Sequence, residues 1–226
     1  MAGPVMVPSR TLRRHEPPGL IIEGIPGTGK TTLFSALKSS LRANASFPAS
    51  TFFYSEHLTQ RVLELAHRRG ELSRADHLRH LEEIVGELRR RNSQLSARGF
   101  LPGGREGFSY VLERFHLTHA VYYPYLDWKD LVPVDEELAD LGCRLCLLTA
   151  DSASLADRLF RPRWPGWLAY LKNYGDEPRE ITAHYLQQQS LYERLAERSA
   201  QKTLVLDTAT RSPEDILRCV LDFWIE

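Results

Sequence analysis

The chain has 226 residues, of which 42% are hydrophobic and 26% charged, and this composition is typical of a globular protein with a sizeable core. Lysine and arginine number 29, as do aspartate and glutamate, so overall charge does not favour binding to nucleic acid or to an anionic membrane. Any anion-binding site must therefore be local.

Residues 1–18 contain four prolines, three arginines and no continuous apolar core, which predicts a flexible tail rather than a secretory signal. No later apolar stretch approaches membrane-spanning length. Three cysteines are too few for a disulfide framework, and the pair Cys143 and Cys146 lies in an apolar run that predicts a buried strand rather than a redox or metal site. These features predict a soluble, cytoplasmic protein.

The first ordered element is predicted to be a short apolar strand at 19–23, followed by a glycine loop and an amphipathic helix. The loop Gly24–Thr31 matches the pattern G-x-x-x-x-G-K-[ST] in full. Its glycines allow backbone N–H groups to turn toward phosphate oxygens, Lys30 supplies charge to the β- and γ-phosphates, and the Thr31 hydroxyl is placed to bind Mg²⁺. The predicted nucleotide-binding residues are Gly24, Pro26, Gly27, Thr28, Gly29, Lys30, Thr31 and Thr32.

Further along the chain, short apolar runs alternate with helical patterns. Strands are predicted at 51–55, 108–112, 143–149 and 203–206, and helices at 57–69, 73–98, 115–125, 152–163, 177–200 and from 212 onward, with a turn at 101–107. Because parallel strands need crossover connections, this order predicts one α/β domain over residues 19–226, with a parallel sheet covered on both faces.

Acidic residues follow two of the predicted strands. Glu56 lies at the sheet edge where ligands bind, so it is a candidate base toward an attacking hydroxyl, and its charge favours a hydroxyl over a phosphate acceptor unless cations intervene. Its alternative role is that of a helix N-cap. Glu113 is a candidate Mg²⁺ ligand and Arg114 a candidate group for binding phosphate or acceptor; the alternative is a structural ion pair.

Two further groups of side chains are less specific. Arg158, Arg161 and Arg163 lie near prolines that would end a helix, and they either cover the γ-phosphate as part of a lid or occupy a solvated helix face. An aromatic stripe either lines the acceptor pocket or belongs to the core; its members are His116, His119, Tyr122, Tyr123 and Tyr125.

Four segments, in this order, resemble thymidylate kinases and related deoxynucleoside kinases. They are IIEGIPGTGKTTL, the pair Glu113-Arg114 as a D-R or E-R motif, LLTADSASLADRLFRPR and LVLDTATRSPEDIL. The resemblance implies a three-layer P-loop kinase fold with a five-stranded parallel sheet in the order 2-3-1-4-5, an arginine-bearing helical lid at about 158–175, ATP with Mg²⁺, and a possible homodimer.

The sequence departs from that family where an acceptor would bind. Thymidylate kinases have an R-E-P segment after the second strand, whereas this chain has Tyr54-Ser-Glu-His57, and Phe115 replaces their tyrosine after D-R. Neither of the motifs typical of switch GTPases, D-x-x-G and [NT]-K-x-D, occurs. The predicted function is therefore ATP-dependent phosphorylation of a hydroxyl on a small molecule, such as a nucleoside or an antibiotic. Alternatives are a nucleoside monophosphate kinase and a nucleotide-binding regulatory module.

Overall fold

The computed structural model describes residues 19–41, 50–97, 108–161 and 165–225. Within them the chain forms a parallel sheet of five strands in the order β2-β3-β1-β4-β5, which confirms the predicted fold class and strand order. The strands are β1 (Leu20–Glu23), β2 (Ser50–Tyr54), β3 (Phe108–Glu113), β4 (Arg144–Thr149) and β5 (Lys202–Asp207).

Helices connect the strands and cover both faces of the sheet. They are α1 (Lys30–Leu41), α2 (Glu56–Thr59), α3 (Glu64–Arg68), α4 (Arg74–Ala97), α5 (His116–Tyr122), α6 (Trp128–Asp140), α7 (Ser152–Leu159), α8 (Trp167–Leu171), α9 (Pro178–Arg198) and α10 (Pro213–Ile225), with 3-10 turns at Arg61–Leu63 and Lys172–Tyr174. None of the helices among these residues is long and apolar enough to cross a membrane.

Strand β1 is fully buried because it lies at the centre of the sheet. Successive side chains of a strand point to opposite faces, so Leu20 and Ile22 enter one hydrophobic core and Ile21 enters another. The first core includes α1 and α10, and the second includes α4, α6 and α9. The result is a three-layer arrangement with β1, and the loop that follows it, at its centre.

Three helices differ from the prediction. The sequence pattern did not indicate α6, which contains Pro133 and is fixed at its start by a capping box between Asp127 and Asp130. The helix predicted at 57–69 is broken at Gln60, whose φ of −136° is not helical, into α2, a 3-10 turn and α3. Helix α5 ends before Tyr123 because the following proline disfavours a helical conformation at that residue.

Both cysteines of the C-x-x-C pair are buried and carry free thiols, as expected for a core position. Cys146 lies in β4 and Cys143 directly precedes that strand. Burial raises the pKa of the Cys146 thiol to about 12, so the reactive thiolate is not formed near neutral pH. These residues pack as apolar groups.

A buried carboxylate joins α5, α6 and the segment before β5. Asp135 accepts hydrogen bonds from His116 Nε2 (2.9 Å), Ser199 Oγ (2.6 Å), the Ala200 backbone N–H (2.7 Å) and Gln201 Nε2 (2.9 Å). A buried carboxylate with four donors ties together elements that are far apart in sequence.

We expect Asp135→Asn to lower the free energy of unfolding by about 2–4 kcal/mol, because an amide cannot accept all four hydrogen bonds. Burial alone would raise the pKa of Asp135, but the hydrogen bonds from His116, Ser199 and Ala200 lower it to about 2. The unfolded carboxyl, with a pKa of about 3.9, therefore binds more protons, and the stabilisation is lost as pH falls from about 4 through about 2. Urea unfolding at several pH values tests this. Asp140→Asn, an exposed change at the end of the same helix, is the control, and equal stability of the two variants would contradict the prediction.

Candidate active site

The loop between β1 and α1 has a backbone conformation that depends on glycine. Gly24 has a φ of +136°, and a Cβ at this position would collide with the backbone oxygen of Leu148 on β4. The Thr28 hydroxyl donates to the Ile25 carbonyl at 2.9 Å and closes the loop from inside. The loop therefore leads directly into the N-terminus of α1, where backbone N–H groups favour anions.

Lys30 lies at the start of α1 with its side chain folded back into the loop. Its ammonium group donates to the Ile25 carbonyl at 2.6 Å, and only 4% of the residue is exposed. Burial and then the charge of Arg114 lower the pKa of Lys30 well below its usual range, although nearby carboxylates, led by Glu113, oppose the shift. An anion beside this ammonium would favour its charged form.

Thr31 and Glu113 bring two oxygen ligands together at the end of the loop. The Thr31 hydroxyl donates to Glu113 Oε1 at 2.8 Å, and Glu113 is buried at the end of β3. The described residues contain no cluster of three or more His, Cys, Asp or Glu side chains suited to a metal ion. A hydroxyl and a carboxylate fit Mg²⁺ well, since this ion keeps several waters and takes its other ligands from substrate phosphates.

Glu56, the first residue of α2, forms ion pairs with two arginines. Its Oε2 accepts from Arg114 Nε at 2.8 Å, and its Oε1 lies 2.8 Å from an Nη of Arg61. Burial alone would raise the pKa of Glu56, but Arg114, Arg61 and Lys30 together hold it below its ordinary value. The N-cap position of this helix belongs to Ser55, so Glu56 does not have the capping role that the sequence left open.

Arg114 is held in a left-handed backbone conformation with φ +57°, the one positive φ of a non-glycine residue among the described parts of the chain. Its backbone N–H donates to Ile22 on β1 at 3.0 Å, and its guanidinium lies 5.9 Å from the ring centre of Tyr122. Burial opposes the charge of Arg114, but Tyr122, Tyr192 and Glu56 outweigh it and raise the pKa. A strained backbone is common where a side chain must be aimed at a ligand.

Glu23 holds the residues that directly follow Arg114 in place. Its role was not identified from the sequence. Its carboxylate is fully buried and accepts from the backbone N–H groups of Phe115 (2.9 Å) and Thr118 (3.2 Å), and from the Thr118 hydroxyl. It thus fixes the start of α5 directly after Arg114. A carboxylate in the apolar run LIIE was a signal, because a buried charge needs hydrogen-bond donors.

Two of the three arginines predicted for the lid, Arg158 and Arg161, make separate contacts. Arg158 donates to the Thr208 carbonyl (2.7 Å), the Thr208 hydroxyl (2.9 Å) and, at 3.5 Å, the Gly27 carbonyl, so it joins the phosphate loop to the segment after β5. Arg161 forms an exposed ion pair with Asp157, which matches the solvated-face interpretation. Arg163 lies outside the described residues.

A cleft of about 720 Å³ opens beside the phosphate loop. Of the predicted nucleotide-binding residues, Gly24 and Thr28 shape the loop from behind, and the other six line the cleft. In the described parts of the chain, the lining consists of Pro26, Gly27, Gly29, Lys30, Thr31, Thr32, Glu56, Gln60, Arg61, Glu64, Arg68, Arg114, Tyr122, Pro165, Gly166, Trp167 and Tyr170.

The sequence indicated that the segment 57–98 supplies pocket residues, but it did not single out the side chains of the wall formed by α2, α3 and the turn between them. Arg61, Glu64 and Arg68 recur at helical spacing and line the cleft, whereas Val62 and Leu65 are exposed outside it. This separation of charged and apolar positions could have been read from the sequence.

The aromatic stripe after Arg114 divides between cleft and core. Tyr122 lines the cleft, whereas His116, His119 and Tyr123 are buried. His119 Nε2 donates to the Thr59 carbonyl at 2.8 Å, and the Thr59 hydroxyl donates to the Glu113 carbonyl at 2.6 Å. The buried histidine therefore helps to hold α2 against the end of β3.

No family model matches the sequence, and no curated protein matches it. Among solved structures, the YorR protein from Bacillus subtilis, in complex with phosphorylated GDP, is 16% identical with a TM-score of 0.57, and the match covers 91% of this chain and 94% of that one. A shikimate kinase from Acinetobacter baumannii, in complex with shikimate, is 13% identical with a TM-score of 0.51, covering 91% and 92%. The chain therefore has the fold of the P-loop kinases.

A thymidylate kinase from Ehrlichia chaffeensis is 13% identical with a TM-score of 0.48, over 94% of this chain and 100% of that one. This similarity is too low to support an inference about the acceptor.

Proposed function

We propose that the protein is an ATP-dependent phosphotransferase that phosphorylates a hydroxyl group of a small molecule. The observation that supports this best is the shared cleft: the phosphate loop with Lys30 opens into the same space as the paired side chains of Glu56 and Arg114. The side of the cleft at the phosphate loop suits a nucleoside triphosphate. The side at Glu56 and Arg114 offers a carboxylate that can accept a proton, next to a guanidinium group that is held in place.

The nucleotide would lie on Gly24–Thr31. Backbone N–H groups and Lys30 bind its phosphates, and Thr31 with Glu113 hold Mg²⁺, which would neutralise charge on the transferring phosphoryl group. Arg158 bonds to the segment after β5, and in the thymidylate kinase superfamily that segment borders the adenine. The choice of ATP rests on this resemblance.

In the reaction, the acceptor hydroxyl attacks the γ-phosphorus, the bond to the β–γ bridging oxygen breaks, and the hydroxyl proton passes to Glu56. The lowered pKa of Glu56 keeps the carboxylate ionised at neutral pH, which is the form that can accept a proton. Arg114 fixes the carboxylate through Nε and directs its remaining donors toward the developing charge.

A nucleoside monophosphate kinase is the second candidate, and one contact favours it. Both carboxylate oxygens of Glu56 are paired with guanidinium groups, which offsets the repulsion that this charge would otherwise exert on an acceptor phosphate. A hydroxyl remains the leading acceptor because Glu56 would then accept the proton that the attacking hydroxyl loses.

The experiment is ATP consumption against nucleosides, nucleoside monophosphates and hydroxyl-bearing antibiotics, with mass detection of the product. Phosphate on a hydroxyl supports the leading proposal, and turnover with monophosphates alone supports the second candidate. ATP binding without turnover of any acceptor would overturn both and favour a nucleotide-binding regulatory module. The cytoplasmic location, the homodimer, the tail at 1–18 and the lid at about 158–175 stay predictions from the sequence.

We expect Glu113→Gln to raise the Mg²⁺ concentration needed for half-maximal activity by roughly 10- to 100-fold, the usual cost of losing a group that holds or orients a metal ligand. The amide keeps one oxygen near Thr31 but lacks the charge that attracts the ion. Activity titrated with MgCl₂ at saturating ATP measures this. Glu136→Gln, an exposed change on α6, is the control, and an unchanged Mg²⁺ requirement in Glu113→Gln would remove this residue from the metal site.

A further inference from the structure

The acceptor half of the cleft carries an excess of positive charge. Lys30 lies inside the phosphate loop and is accounted for by the nucleotide. Among the described residues, the remaining charged side chains of the lining are three guanidinium groups and two carboxylates; they are Arg61, Arg68, Arg114, Glu56 and Glu64. Arg114 is already assigned to the transferring phosphoryl group and Arg61 is bonded to Glu56 at 2.8 Å, so the most loosely paired guanidinium of this set is that of Arg68.

These side chains form one group of three and one pair, which differ in how closely they are bonded. Glu56 is bonded at 2.8 Å to both Arg61 and Arg114, at the end of the cleft next to the phosphate loop. Arg68 lies roughly two helical turns beyond Arg61, and its Nη2 is 3.5 Å from Glu64, which is the outer limit of a hydrogen bond. Arg68 is 66% exposed and lines the cleft, so its planar donors can be used by a ligand.

A tyrosine lines the same cleft as Arg68. Tyr170 lines the cleft, and its hydroxyl is 2.8 Å from that of Tyr174. Burial raises the pKa of Tyr174, with Glu64 adding to the shift and Arg68 opposing it, so the phenol stays neutral and able to donate. Arg68 offers an anion a charged donor, and the Tyr170 hydroxyl can add a neutral donor when it accepts the hydrogen bond from Tyr174.

We infer that the acceptor carries an anionic group, a carboxylate or a phosphate ester, remote from its reacting hydroxyl, and that Arg68 with the Tyr170–Tyr174 pair binds this group. This rests on the proposed kinase function and defines its substrate class. The reacting hydroxyl lies at Glu56 and Arg114, and the anionic group lies toward the outer end of α3.

The test compares acceptors that differ only in charge, such as a hexose, its uronic acid and its 6-phosphate, or a nucleoside with a carboxylate-bearing analogue. We expect the anionic acceptor to have a kcat/KM at least 10-fold higher than the neutral one. Whether the carboxylate-bearing or the phosphate-bearing acceptor is preferred identifies the anionic group as a carboxylate or a phosphate ester. Arg68→Gln should raise KM for the anionic acceptor by about 10- to 100-fold, as expected for a lost charge-assisted hydrogen bond, while KM for ATP stays unchanged.

Arg69→Gln is the matched control, since Arg69 is the neighbouring exposed arginine and does not line the cleft. Added NaCl should raise KM for the anionic acceptor in the wild type and have less effect in Arg68→Gln. Phosphorylation of neutral acceptors with no preference for charge, or an unchanged KM in Arg68→Gln, would overturn the inference and leave the kinase function intact. Transfer to the anionic group itself would also overturn it, and absence of transfer to every acceptor would overturn both.

Discussion

Replacement of Lys30 by alanine is expected to lower kcat/KM roughly 10³-fold or more while the protein stays folded. The Lys30 ammonium lies within the loop that would hold the β- and γ-phosphates, and no other lysine lines the described cleft. Because the ammonium is buried and its pKa is well below the usual range, its removal relieves a desolvation cost and is not expected to lower the unfolding temperature.

The control is Lys38→Ala, which removes an exposed lysine from the same helix, where its ammonium lies 5.0 Å from the ring centre of Phe34. That variant should keep full activity and lose a little stability through the cation–π contact. Acceptor-dependent ADP formation and thermal unfolding, measured on both variants, separate the two effects. If Lys30→Ala kept its turnover, the proposal that the phosphate loop takes part in catalysis would be wrong.

Glu56→Gln should lower kcat by roughly 10²- to 10⁴-fold, the range expected when a general base is lost. The amide has the same shape and retains one oxygen for Arg114, so KM for ATP should change little. Product formation under saturating ATP and acceptor measures the effect, and Glu71→Gln, an exposed change outside the cleft, controls for loss of a carboxylate elsewhere. An unchanged kcat would leave Glu56 with a purely structural task.

The pH profile tests the same residue independently. Because the arginines hold the pKa of Glu56 below its ordinary value of about 4.3, the carboxylate is ionised throughout the neutral range. Activity should therefore be independent of this group above about pH 4.3 and fall only as pH drops through the lowered pKa. This loss of activity at low pH should disappear in Glu56→Gln. A loss of activity that begins above pH 5 would indicate that a different group is the base.

Much of the fold could be predicted because its signals are local. The glycine loop, the apolar strand before it and the amphipathic helix after it occupy adjacent residues, so spacing alone placed Gly24–Thr31 from the end of β1 to the first turn of α1. Glu56 and Arg114 could be placed at one sheet edge because the carboxyl ends of parallel strands meet there.

The remaining parts of the site depend on tertiary structure. Arg61 and Arg68 line the cleft only because the chain breaks at Gln60 and turns α3 along the opening. Arg158 and Arg161 look equivalent in sequence, but Arg158 lies in the last turn of α7 and contacts Thr208, whereas Arg161 follows the end of that helix and pairs with Asp157. No spacing rule distinguishes a helix face that meets the phosphate loop from one that meets solvent.

The strand order also affects how the chain can fold as it is synthesised. β1 pairs only with β3 and β4, and β2 pairs only with β3, so no two of the described strands can join until residues from Phe108 onward have left the ribosome. Until then the apolar β1 has no partner strand, and its pairing with β4 closes a loop of more than one hundred residues. The glycine loop after β1 is thus made before β3 and β4, and the contact between Gly24 and Leu148 can form only after β4 has been made.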